Sequence, residues 1–472
     1  MGQDKTQFLT APVKAVNIGL RSFYQDLIWQ GVDCVHVDWR PPAGGDTRLA
    51  NLLDELNFGE IAAHIRKANG LAVERILAGN PVCEDVVPAI EVVPDMSRDM
   101  ILYSGPPIAW QKMSGPMRGG IAAALMYEGR AKTPADAMEM AGGGAVTFSP
   151  CHEHDTVGAM AGVISPSMPV FVVRNCSFGN TAYCAWRDLA QASGAYDADT
   201  IQRMIWLRDT GMPALGAAIR SCGGVKLKPL WAKALMMGDE HHNRVSAGTS
   251  VFTRIIAPYL VRAADRDAAA QVLDYLAEFD LAIVPITMAG CKSVMNAASG
   301  IEASTVVTAI ARNGVEVGIR VSGLGNQWFT GPAQLVKGTY HPGFSDKDAC
   351  PDLGDSAIIE TFGFGGCAIA AAPTHVTVRD EPGAAERYTK EMYEISLAEN
   401  PGYPIPTLDF RGIPCGIDIR RVVETGILPI VDTPIAHREP GKYSGVIGFG
   451  MSRPPMECFL KAIKAFEKKY NR

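Results

Sequence analysis

No apolar run in this chain approaches the ~20 residues that a membrane-spanning helix needs, and the opening MGQDKTQFLTAPVKA carries neither an apolar h-region nor a small-residue cleavage site. A cytoplasmic protein is expected. A basic surplus is missing as well: 44 Lys and Arg against 50 Asp and Glu leave a formal net charge of -6. That offers no field for a polyanion, so neither nucleic acid nor membrane is an expected partner. The 11 Cys include no Cys-x-x-Cys pair, which argues against a disulfide framework and for free thiols in a reducing compartment. No Gly-x-Gly-x-x-Gly follows the first strand-like run, and the histidines do not form His-Glu-x-x-His, so a dinucleotide fold and the common zinc-protease motif have no support. Internal repeats and low-complexity linkers are absent too.

What is present is globular. A chain of 472 residues, 47% hydrophobic and 20% charged, is too long for one simple core, so several lobes are expected. With 48 Gly and 31 Pro, tight turns abound, which suits an α/β enzyme more than a helical bundle.

The densest chemistry lies in TFSPCHEHDTVGAMAGVISPSMP, Thr147 to Pro169. It packs Cys151, His152, Glu153, His154 and Asp155 between two strand-like runs, Ala145 to Phe148 and Pro169 to Val173. Pro150 ends the first, placing these groups on a loop held by buried elements, where catalytic residues are often found.

The remaining chain predicts a multi-lobed α/β protein. Residues 1–100 form an N-terminal α/β lobe opening with a βαβ unit: strand Val13 to Leu20, helix Ser22 to Gln30, strand Val32 to Trp39. The turn Arg40 to Asp46 then carries a ligand or simply connects. Helices over Asn51 to Ala78 and strands at Ala89 to Val93 and Met100 to Tyr103 follow. Residues 101–184 are the first part of the core, in which a Gly- and Pro-rich loop ending at Arg118, Gly119 and Gly120 opens a helix, Ile121 to Glu128, suited to an anion. Residues 185–300 form a mostly helical lobe. Within it GDEHHNR places Asp239 to N-cap a helix over His242 to Ala263, with Glu240, His241, His242 and Arg244 around its first turn. Residues 301–472 return to α/β. Asn313-Gly314 between apolar runs predicts a hairpin, and Val315 to Ser322 alternates so that Arg320 and Ser322 share a face. A Gly-rich segment with Asp355 and Glu360 leads into a helix over Cys367 to Ala372, and an amphipathic helix, Pro455 to Tyr470, closes the chain.

These groups allow more than one chemistry. A transition-metal site could use His152, His154 and His241, giving a metal-dependent amidohydrolase. A histidine could instead act as general acid or base, oriented by Glu153, Asp155 or Glu240. Cys151 as nucleophile is weaker, because a buried Cys is usually inert. The Gly-flanked arginines Arg118, Arg312, Arg320 and Arg411 favour a small anion over a sugar or lipid. His36, His64, His341, His375 and His437 stand alone and read as structural.

At GPMRGG, TFSPCHEHDTVGAMAGVISPSMPVFVV, GDEHHNR, STVVTAIARNGVEVGIRVSGLG, GDSAIIET and RPPMECF, from about Asn69 to Phe459, the chain closely resembles the YlbE/AllG-like family, whose members accompany FdrA proteins. The opening VNIGLRSFYQDLIWQGVDCVHVDWRPPAGGD is similar to a segment of FdrA proteins themselves. The resemblance implies a subunit of oxamate carbamoyltransferase in anaerobic allantoin breakdown. Its reaction would be phosphorolysis of oxalurate to oxamate and carbamoyl phosphate, with a carbamate kinase downstream and an FdrA-like protein as partner. A non-catalytic scaffold docking that partner through its N-terminal segment is the alternative of a different class. For the transferase the expected acid or base groups are His152, His154, Glu153, Glu240 and His241. Arg118, Gly119, Arg244, Asn313, Arg320, Ser322 and Glu360 are expected to hold the small anionic substrate and phosphate. Neither a metal nor another cofactor is expected in that reading, and a homo-oligomer is expected from the frequency of symmetric assemblies.

Overall fold

The computed structural model describes residues 12–37, 39, 41–441, 443 and 445–470. Asp38 and Arg40, at the end of the expected second strand and the start of the turn after it, lie outside the described residues, as does the opening segment through Ala11.

One helix, Val284–Ala297, organises the interior, and every residue from Val284 to Met295 is buried. It lies against two neighbouring strands, Pro169–Asn175 and Thr181–Ala185. Its sequence VPITMAGCKSVMNA has apolar residues on every side, the pattern of a helix with no solvent face. Gly290 lets it meet the helix Leu227–Met236, since a Cβ there would sit 2.7 Å from the Trp231 ring. Full burial of each large side chain in this layer contributes about 1.5–3 kcal/mol.

The strands divide among several small sheets. The largest runs Thr156–Val157, Thr181–Ala185, Pro169–Asn175, Pro81–Pro88, Val225–Lys226; only its first pair is parallel. A four-stranded antiparallel sheet orders Phe329–Pro332, Glu316–Val321, Val307–Asn313, Leu353–Gly354. Its middle pair is the hairpin expected at Asn313-Gly314, with Gly314 at φ 79°. A three-stranded sheet joins Lys337–Tyr340, Val446–Ser452 and Val431–Ala436. The closing helix Met456–Tyr470 buries Cys458, Phe459, Ala462, Ile463 and Phe466, the spacing of one helical face, against the hairpin sheet.

The N-terminal unit is the expected βαβ: Lys14–Ile18 and Asp33–Val37 pair in parallel around the helix Arg21–Trp29. That helix buries no residue, and Trp29 is 85% exposed.

Local expectations fail in four places. Ala89–Val92 is a helical turn, not a strand, because the chain bends after Pro88 and Val93 N–H closes on Ala89 O. The helix bearing Arg118 begins at Gly115, with Pro116 in its first turn. The helix expected from His242 begins at Ser246; the residues before it wrap around Glu240 instead. Asp239 still accepts N–H bonds from Ala247 and Gly248, so it caps that helix from outside its first turn. Gly365–Ala371 is 3-10, not α, interrupted at Ala368.

Candidate functional site

Strand Thr147–Pro150 delivers the chain into a tight 3-10 turn, Cys151–His154, rather than an extended loop. Residues two apart on such a turn point about 240° apart, so His152 and His154 diverge. His154 faces away: one ring nitrogen meets Pro94 O at 2.7 Å and the other Ser149 Oγ at 2.8 Å. Both nitrogens being occupied, the expected metal pairing of His152 with His154 is not formed.

His152 turns inward to the buried helix. Its Nδ1 lies 3.1 Å from Lys292 Nζ, and its Nε2 lies 3.6 Å from Asp355 Oδ1. The Asp355 carboxylate is fixed from behind, accepting N–H bonds from Gly105 at 2.7 Å and Gly158 at 2.9 Å. The preceding Gly354 has φ 115°, and a Cβ on it would sit 2.5 Å from Met160 N, so only glycine brings this turn so close.

Arg320 enters from the hairpin. It pairs with Glu153, lies 4.3 Å over the Trp328 ring, and leaves its Nε buried without a partner. Trp328 Nε1 also donates to Glu153, at 3.1 Å. Asn296, one turn beyond Lys292, donates to Asp155 at 2.8 Å. His152, Glu153, Asp155, Lys292, Asn296 and Arg320 wall a cavity of about 590 Å³, completed by Asn180, Tyr183 and Thr308 among others. That volume suits a small molecule.

Burial dominates the proton chemistry. It pushes the Lys292 ammonium down to about 8, helped by the Arg320 charge and opposed by Asp155, Asp355 and Glu153. It pushes Asp355 up to about 7 against its two backbone N–H donors. His152 is driven well below its ordinary value by burial, then by Lys292 and Arg320. The imidazole is therefore neutral at pH 7, accepting from Lys292 at Nδ1 and holding its own proton at Nε2. A lysine whose ammonium titrates near neutrality, beside a neutral imidazole on the cavity wall, is able to donate or accept a proton there.

The other expected site residues lie elsewhere. Arg118 Nη2 donates to Gln111 O at 2.7 Å and its guanidinium covers Trp110. Gly119 is a packing position, where a Cβ would fall 2.0 Å from Gly194 O. Asn313 holds its own hairpin turn, accepting from Val315 and Glu316. Ser322 bonds Ala298 O and Ile301 N. Cys151 is buried, donates to Gly162 O, and its thiol is pushed up by burial, which leaves it a poor nucleophile. Arg312 is a fully buried structural cation, bonded to Asp352, Gly354 O and Thr433, and Arg411 pairs with Glu399 at the surface.

Glu240, His241, Arg244 and Glu360 belong to a second, closed region. His241 Nε2 donates to Trp231 O and its ring packs on Phe364. Arg244 Nε donates to Gly238 O at 2.8 Å. Glu240 and Glu360 gather around His242, His375 and Asp432. Sequence reasoning missed Lys292, whose signal was a lone lysine within an otherwise uncharged helix, and left Asp355 without a role.

Comparison with known proteins agrees with this architecture. A profile of the family described as oxamate carbamoyltransferase subunit AllG matches residues 146–356. The chain is 44% identical to the uncharacterized protein YahG of Escherichia coli K12 over 464 residues, 97% of this chain and 98% of that one. It is 42% identical to the oxamate carbamoyltransferase subunit AllG of the same organism over 409 residues, 85% and 97% of the two chains. A crystal structure of a conserved protein of unknown function from Enterococcus faecalis V583 superposes with a TM-score of 0.82 at 46% identity, covering 86% of this chain and 98% of that one. With relatives this similar over nearly their whole length, the chain belongs to the AllG-like family.

Proposed function

We propose that this chain is the catalytic subunit of a carbamoyltransferase, acting on a small amide-bearing anion such as oxalurate with phosphate as acceptor. The observation that carries the reading is Lys292 against His152 in a solvent-accessible cavity shared with Arg320. In phosphorolysis a phosphate oxygen bonds the ureido carbon, the bond from that carbon to the oxamate nitrogen breaks, and the departing nitrogen needs a proton. Lys292, held down to about 8, is matched to give that proton near neutral pH. His152 orients it with Asp355 behind the imidazole, and the proton that the attacking hydrogen phosphate loses restores the ammonium. The unpartnered Nε of Arg320 serves the substrate carboxylate or the developing oxyanion. The subunit role named for the E. coli relative supports the same class, and an FdrA-like protein is the expected partner.

The test is phosphate release from carbamoyl phosphate with oxamate as acceptor, measured on the chain alone and with its FdrA-like subunit. Oxamate-dependent release that falls at least about a hundredfold in Lys292→Met supports the reading. Release unchanged by that substitution favours the scaffold role, with the chemistry in the partner. No oxamate dependence in either preparation sinks the carbamoyl-transfer assignment.

A further inference from the structure

Away from the residues that line the cavity, five titratable side chains are buried together: Glu240, His242, Glu360, His375 and Asp432. They arrive from four separate segments. Glu240 and His242 come from the loop before helix Ser246–Ala263, Glu360 from the helix Ile358–Phe362, His375 from the turn after the 3-10 run, and Asp432 from strand Val431–Ala436.

Some of their charge is met. Glu240 Oε1 accepts backbone N–H bonds from Asn243 and Arg244, at 2.5 and 2.7 Å, and both its oxygens face His242 N–H. His242 Nδ1 lies 2.7 Å from Glu360 Oε1, which also accepts from Gly366 and Asp432 N–H. The rest is met less closely. Both carboxylate oxygens of Asp432, Oε2 of Glu360 and Nε2 of His242 are buried with no hydrogen-bond partner, although His375 Nδ1 lies 3.6 Å from Asp432 Oδ2. Three enclosed carboxylates with so many unused lone pairs are expensive unless they take up protons or a cation sits among them.

Geometry supplies the place. One ligand atom from each of Glu240, His375 and Asp432 lies within 4.8 Å of the other two, the spacing of donors around a single ion. His375 Nδ1, 3.6 Å from Asp432 Oδ2, also meets Thr377 Oγ1 at 2.7 Å, which holds the ring in place. His242 carries Glu360 on one nitrogen and leaves the other open, the carboxylate–histidine pairing that commonly surrounds metal sites. Two carboxylates and an imidazole form a mixed O/N set that suits a first-row divalent ion better than calcium or magnesium, which prefer oxygen alone.

We propose that Glu240, His375 and Asp432 form a buried site for a first-row divalent cation, zinc or manganese, that ties the 240s loop to the strand Val431–Ala436. The site shares no residue with the Lys292 cavity and stands whether or not the carbamoyl-transfer reading holds.

The full chain is purified without chelator and its metal content measured by mass spectrometry. It is then stripped with a chelator and titrated with Zn2+ or Mn2+ alone. About one ion per chain is expected, and re-addition at a hundredfold excess over Kd should raise the melting midpoint by about 3 K. Asp432→Asn and His375→Gln, which keep shape and remove a ligand, should each weaken binding at least about tenfold. Lys292→Met should bind the ion as the wild type does. A wild-type chain that carries no such metal and takes up neither ion overturns the proposal, and that result needs no variant to fold. Tight binding retained in both ligand variants overturns it equally.

Discussion

Lys292 is expected to weaken the fold in which it works, and Lys292→Met measures by how much. Its ordinary value is 10.5 and burial holds it at about 8. Below pH 8 the lysine is charged in the folded and unfolded chains alike, and the folded chain carries the whole cost of enclosing that charge. Between pH 8 and 10.5 only the unfolded chain keeps its proton, so this contribution to stability rises with pH; above 10.5 the cost is gone. The gap, at 1.36 kcal/mol per pH unit, sets a ceiling of about 3 kcal/mol. Losing the contact with His152 Nδ1 returns about 1 kcal/mol, so the methionine variant should be about 2 kcal/mol more stable than wild type at pH 7. For 472 residues the unfolding entropy is about 1 kcal/mol per kelvin, which makes the difference about 2 K. Paired melting scans at pH 7 and pH 10 read it directly, since groups common to both proteins cancel. A variant that melts below wild type at pH 7, or one whose advantage is the same at both pH values, refutes the buried-ammonium account.

Three substitutions separate site from scaffold. Arg320→Gln removes a charged donor from the cavity and should weaken binding of an anionic ligand by about tenfold to a hundredfold in calorimetry, with little change in melting. His154→Ala deprives Pro94 O and Ser149 of their partner; it should cost about 1–3 kcal/mol in urea unfolding and leave kcat unchanged. Gly354→Ala forces a Cβ against Met160 N at positive φ and should cost about 2–3 kcal/mol, with ligand binding impaired because Asp355 is displaced.

Local signals carried much of this. Alternation and an Asn-Gly turn located the hairpin that presents Arg320, and clustering singled out the turn that presents His152 and Glu153. Dihedral detail decided the rest: a 3-10 turn separates His152 from His154, which sequence spacing alone treats as neighbours. Lys292 was hidden because a lysine in a helix is ordinarily a solvated end, and its burial comes from elements distant in sequence, among them the strands Pro169–Asn175 and Thr181–Ala185 and the helix Ile358–Phe362. Asp355 sits in a Gly-rich turn, where aspartate is common for local reasons. His375 and Asp432 are isolated in sequence and meet only in the folded chain.

The sequence distances that hide the cavity also schedule its appearance during synthesis. Asp355 closes on amides 250 and 197 residues earlier, and Lys292 on an imidazole 140 residues earlier. Loops of that length lose entropy before any contact repays it. While the ribosome still holds residue 355, the Thr147–Pro150 strand and its turn can form but have no carboxylate behind them. The residues that line the cavity, from His152 to Asn326, thus all precede the carboxylate that backs His152, and a ligand can meet that wall before Asp355 is in place.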